Sequence, residues 1–143
     1  MKKLLVVFLI IFLYTPLSYA QDYYAMIAHK SKNNNYLARI VKCPDKDTCL
    51  KVVELNSIDL NNNWRFAEAE CLTGPENDQL FNSVFNRKSI PEPYIYFTDV
   101  NGFPTVLKFM DISPLLIDVM ISRWEKALKQ QGAKNIVIIK PNK

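Results

Sequence analysis

The chain has 143 residues, 49% of them hydrophobic and 22% charged, with 18 basic against 14 acidic side chains and a net charge of +4. That length suits one domain with a single core, and an aromatic content of 12% argues against wholesale disorder. The charges are interspersed except in the short tail "KPNK" (140–143), so nucleic acid and acidic membrane surfaces are not indicated as partners.

Residues 1–20 read as a cleaved secretory signal. Lys2 and Lys3 precede the apolar run "LLVVFLIIFL" (4–13), and "SYA" ends at a small residue before Gln21. Ten apolar residues fall well short of the roughly 20 that span a bilayer. The expectation is therefore a periplasmic or secreted protein, with 21–143 as one domain and no stable membrane insertion after cleavage. Without the two signal lysines, 16 basic residues face 14 acidic ones. Export implies an oxidising compartment, and all three cysteines (Cys43, Cys49 and Cys71) lie beyond the signal. An odd count leaves at least one unpaired within a single chain.

"NYLARIVKC" (35–43) alternates Leu37, Arg39 and Val41 against Ala38 and Ile40, which predicts a strand. "DYYAMIAHK" (22–30) is a strand candidate before it. "TCLKVVELNSIDL" (48–60) fits either a helix or a strand. "WRFAEAECL" (64–72) is a further strand candidate. "TGPENDQLFNSVFNRK" (73–88) predicts a helix with Leu80, Phe81, Val84 and Phe85 on one stripe. "YIYF" and "TVLKF" flank Asn101-Gly102, a dipeptide suited to a turn that needs positive φ, and predict a hairpin. "SPLLIDVMISRWEKALKQQG" (113–132) is the best helix, with Ser113 and Pro114 at its start and Gly132 at its stop. "AKNIVIIK" (133–140) closes the chain as an edge strand. No internal repeat is visible in the sequence.

Taken together, "FAEAECL", "NDQLFNSVFNRK", "PYIYFTDVNG" and "SPLLIDVMISRWEKAL" resemble the second half of a thioredoxin-like domain. "AEC" is similar to the acidic-Cys strand ending of protein disulfide isomerase domains. Cys43 lies 28 residues before Cys71, close to the family's nucleophile spacing. The resemblance covers about 36–130. It implies an α+β fold with a central mixed sheet flanked by helices, a C-terminal hairpin and a long final helix. It further implies Cys43 as nucleophile, Cys49 as resolving thiol, and Pro93 as a cis-proline wall beside them. No cofactor is implied. The chain departs from the family in having Cys-x5-Cys for Cys-x-x-Cys and Lys42 where an aromatic usually stands.

Two main readings of "KCPDKDTC" (42–49) follow, with free or metal-linked thiols as the remaining alternative. In the first, Cys43 and Cys49 exchange with protein thiols or disulfides, as an atypical oxidoreductase. In the second they form a structural disulfide in a non-catalytic binding or assembly module, whose partner is another envelope protein. Cys71 reads as a buried small hydrophobe, with pairing to Cys43, Cys49 or another chain as the alternative, and His29 alone cannot supply a metal site. Asp99 and Asp111 flank the hairpin and read as turn or cap residues.

Overall fold

The computed structural model describes residues 21–74 and 93–140. The expected signal (1–20) and the expected helix at 76–88 lie outside the described residues. Two strands open the fold, β1 (Tyr23–Ser31) and β2 (Tyr36–Cys43), followed by helix α1 (Lys46–Asn56) and strand β3 (Trp64–Thr73). After the undescribed segment come β4 (Tyr94–Thr98), β5 (Pro104–Met110), helix α2 (Pro114–Gln130) and β6 (Lys134–Ile139). The six strands form one sheet in the order β3-β1-β2-β5-β4-β6, antiparallel at every neighbouring pair.

This order contains a repeat that the sequence does not display. In each half a hairpin (β1–β2, then β4–β5) is followed by a helix, and the chain returns to pair with the hairpin's first strand. β3 pairs with β1, and β6 pairs with β4. The described residues thus form two ββαβ units, joined where β2 meets β5 from Tyr36↔Met110 to Val41↔Thr105. The units use different local chemistry to reach the same shape. The first hairpin turns through the asparagine run, with Asn34 at φ 60° and the Ser31 hydroxyl accepting from the Asn33 and Asn35 N–H groups. Asparagine is one of the few non-glycine residues that visit this region readily. The second turns through Asn101-Gly102, with Gly102 at φ 86°.

The helix ends follow local sequence chemistry, except that Ser113, expected to cap α2, makes no side-chain capping hydrogen bond. Asp45 caps α1, its carboxylate accepting from the Thr48 N–H at 2.7 Å and the Thr48 hydroxyl at 3.0 Å. α2 starts with Pro114 in its first turn and stops at Gly132, φ 82°. There the Gly132 N–H donates to the Lys129 carbonyl and the Ala133 N–H to the Leu128 carbonyl, the double closure of a Schellman motif.

Both helices lie on one face of the sheet. Side chains alternate along a strand, so Leu37, Arg39, Val41 and Cys43 share a face. Leu37 packs in the cluster that holds Ile121 and Leu128 of α2, with Ile95, Phe97, Leu107 and Phe109. Val41 and Cys43 pack in the cluster that holds Cys49 of α1, with Ala25 and Ile27. A third cluster, of Tyr24, Ile40, Tyr94 and Val106, sits on the opposite face. A bulge in β3 opposite Ala28 and His29 brings both Phe66 and Ala69 to the α1 side.

The expected thioredoxin-like fold is corrected by this topology. Every ladder is antiparallel, and the molecule is an open, sheet-dominated fold rather than a mixed sheet between helical layers. The resemblance rested on a succession of strand, helix and hairpin strings. Such strings do not encode the direction of pairing. The decisive strand is β1, which inserts between β2 and β3 and runs antiparallel to both.

Candidate functional site

The strand end at Cys43, the first turn of α1 at Cys49 and Cys71 of β3 meet in one cluster, and the bond joins Cys49 to Cys71, with Cα atoms 5.9 Å apart. The Cys43–Cys49 pairing of the sequence reading is corrected accordingly. β3 lies beside β1 and carries Cys71 opposite Ala25. α1 crosses the same strands, and Cys49 faces down onto Cys71. The bond ties helix to edge strand within the first ββαβ unit. Cys43 remains a free thiol, 1% exposed. Its Sγ donates to the Val41 carbonyl at 3.6 Å. Burial pushes the Cys43 thiol up, with Asp45 and Asp99 adding to the rise and a backbone hydrogen bond at Ala25 opposing it. Lys42 does not favour a thiolate here, because it points to the other face and pairs with Asp22 at 2.7 Å.

Pro93 is remote from the cysteines. Its carbonyl accepts from the Phe109 N–H at 3.1 Å, and Phe109 lies opposite Leu37. Cys43 is six residues further along β2, about 20 Å at the usual strand rise. The three expected site residues are therefore not assembled around one reacting centre.

A thiol in this state has two measurable consequences. Iodoacetamide is expected to leave native protein unmodified over hours and to add one label per chain once the protein is unfolded without reductant. Mass spectrometry reads the difference; rapid labelling of native protein would contradict the burial. Stability is expected to fall in alkali. The folded state holds the Cys43 proton more tightly than the unfolded chain, so this contribution is complete below the ordinary thiol value of about 8.5 and is lost as pH rises through the folded value. Burial raises Tyr94 as well, which extends the loss above its ordinary value of about 10. Urea midpoints measured from pH 7.5 to 10.5 test this, with Cys43→Ala flattening the first part of the decline.

A different constellation lies between the helices. The gap between α1 and α2 is a groove of about 730 Å³ over the β2–β5 seam, within the roughly 300–1,000 Å³ usual for ligand sites. Ile27, Leu37 and Leu107 make its floor, while Trp64, Phe103 and Trp124 contribute aromatic walls. Leu55 (71% exposed) and Val100 (73% exposed) stand at its edges as open apolar side chains.

Polar side chains also line the groove, Arg39, Asp99 and His29 from the strand side among them. Arg39 rises from the middle of the β2–β5 seam, donating from Nη1 to the Asn56 Oδ1 at 3.1 Å and lying 3.6 Å from the Asp99 carboxylate through Nη2. Its Nε is buried and has no hydrogen-bond partner among the described residues. Burial lowers the Arg39 pKa from its ordinary value and Asp99 partly offsets this; the guanidinium remains charged. Asp99 is a turn residue, as expected, with Oδ1 accepting from the Asn101 and Phe103 N–H groups, both at 2.9 Å. His29, 3% exposed, bonds through Nε2 to the Ile58 carbonyl at 3.0 Å, and its buried Nδ1 has no partner among the described residues. The sequence carried one signal for this site, an arginine on the inward face of "YLARIV" between Leu37 and Val41. Strand pairing, invisible in the sequence, is what brings His29 and Asp99 to it.

Among the described residues no three His, Cys, Asp or Glu side chains are grouped to hold a metal ion, and no helix is long and apolar enough to cross a membrane. Comparison with known protein families, with curated proteins and with solved structures finds no match.

Proposed function

We propose that this chain is an exported, non-catalytic binding module whose ligand occupies the groove between α1 and α2. The observation that carries the reading is the groove itself, a gap of about 730 Å³ over the apolar core, edged by exposed leucine and valine and holding an arginine at its floor. Closing such a gap on an apolar ligand removes its walls from water at roughly 25 cal/mol per Å². The signal-like N-terminus and the disulfide support placement in an oxidising compartment. Thiol exchange has less support. The bonded pair is Cys49–Cys71, the remaining thiol is buried, and burial opposes the thiolate that would have to attack.

The groove is tested by filling it. Ala127 lines it from α2, and Ala127→Phe places a ring in the gap. Native protein is expected to enhance the emission of Nile red, a neutral apolar dye, and the variant to lose most of that enhancement at unchanged circular dichroism. Equal dye binding by both proteins would rule the groove out. In a parallel assay the protein is expected not to accelerate insulin reduction by dithiothreitol. Acceleration that depends on Cys43 would restore the oxidoreductase reading.

A further inference from the structure

We infer that the ligand of this groove is an amphipathic organic monocarboxylate, its apolar body on the Ile27, Leu37 and Leu107 floor and its carboxylate against Arg39; the inference rests on the groove being the binding site. The first support is an uneven charge count. Two arginines, Arg39 from the sheet and Arg123 from α2, line the groove against one carboxylate, Asp99. Asp99 is already committed, since its Oδ1 takes two backbone N–H groups and its side chain is only 8% exposed. Arg39 is less complete. Its side chain is 31% exposed and its contact with Asp99 is a loose 3.6 Å. Arg123 makes no ion pair among the described residues. Among the described residues the groove is therefore left with one positive charge in excess.

The second support is orientation. Asn56 holds Nη1 of Arg39, which fixes the plane of the guanidinium instead of leaving it to swing. A planar, oriented guanidinium matches the two oxygens of a carboxylate. A phosphate monoester would bring close to two negative charges to a floor of aliphatic side chains with only one excess positive charge, and the uncompensated remainder would be costly to desolvate.

Decanoate, decanol, decyl phosphate and decyltrimethylammonium share one apolar body and differ in the head group, which separates the two parts of the inference. Trp64 and Trp124, the only tryptophans in the sequence, both line the groove. Each probe is titrated into the purified protein below its micelle-forming concentration while tryptophan emission is followed. Decanoate is expected to bind at least ten-fold more tightly than decanol and than decyl phosphate, with the cation weakest. The advantage over decanol should shrink as salt rises. Arg39→Met is expected to bring decanoate within two-fold of decanol. Because that change strips Asp99 of its partner, Arg123→Gln on the exposed side of α2 supplies a second variant, expected to weaken decanoate two-fold or more and to leave decanol unchanged. Equal binding of decanoate and decanol, or preference for the cation or the phosphate, would overturn the carboxylate assignment and leave the groove in place. No response to any probe would overturn the groove reading with it.

Discussion

Replacing Cys49 and Cys71 together by alanine is expected to lower the free energy of unfolding by about 3 kcal/mol, the usual scale for a disulfide that closes a loop of this length. The bond joins residues 22 apart, so most of its effect comes from shortening the loops open to the unfolded chain. A native-state contribution adds to this, because Cys49 is fully buried and anchors α1 to the edge strand β3. α1 has few other inward anchors. Val52 and Val53 reach the cluster beneath, whereas Leu50 and Leu55 stay exposed. The variant should therefore lose helix signal before the sheet melts. Urea unfolding followed by circular dichroism measures the shift, and dithiothreitol on the natural protein should reproduce it. Cys43→Ala serves as the control, with the disulfide intact. A double variant with the natural midpoint would mean that the bond contributes nothing to the fold.

The elements legible in the sequence are those with strong local chemistry. Pro114 and Gly132 bracket α2, and Asn101-Gly102 turns the second hairpin, because these residues act within a few positions of themselves. "YLARIVKC" announced β2 by alternation. α1 was ambiguous for a physical reason. Of its leucines and valines only Val52 and Val53 point inward, and the residue that faces the sheet most deeply is Cys49. An apolar count therefore places the wrong side of the helix inside. The helix also failed to settle the topology, since a ββαβ unit and a thioredoxin-like unit both need a helix after this strand. Cysteine pairing was hidden in the same way. Cys43 is six positions from Cys49 in the chain, but only the return of β3 alongside β1 brings Cys71 beneath α1. Arg39 was visible as an inward charge, whereas its relation to Asp99 and His29 depends on β1, β2, β5 and β4 lying side by side.

Phe109→Ala is expected to cost about 3–5 kcal/mol, the range for emptying a large aromatic side chain from a packed core, and to destabilise both halves of the molecule at once. Phe109 is 1% exposed on β5 and lies opposite Leu37 on β2, so it sits on the seam between the units. Leu37 belongs to the first unit but packs in the cluster under α2, and Trp64 of β3 packs against the same cluster. Each unit thus leaves apolar surface that only the other covers. A three-stranded sheet with one helix of 11 residues has little core of its own, which makes independent folding of the halves unfavourable. Two single-tryptophan proteins test this. Trp124→Phe leaves Trp64 to report on the first unit, and Trp64→Phe leaves Trp124 to report on the second. In urea the two are expected to show transitions of equal cooperativity, and Phe109→Ala should move both midpoints together. If only the Trp124 transition moved, the units would be separate folding domains. The groove between their helices would then be an interface free to open, not a site held rigidly over the seam.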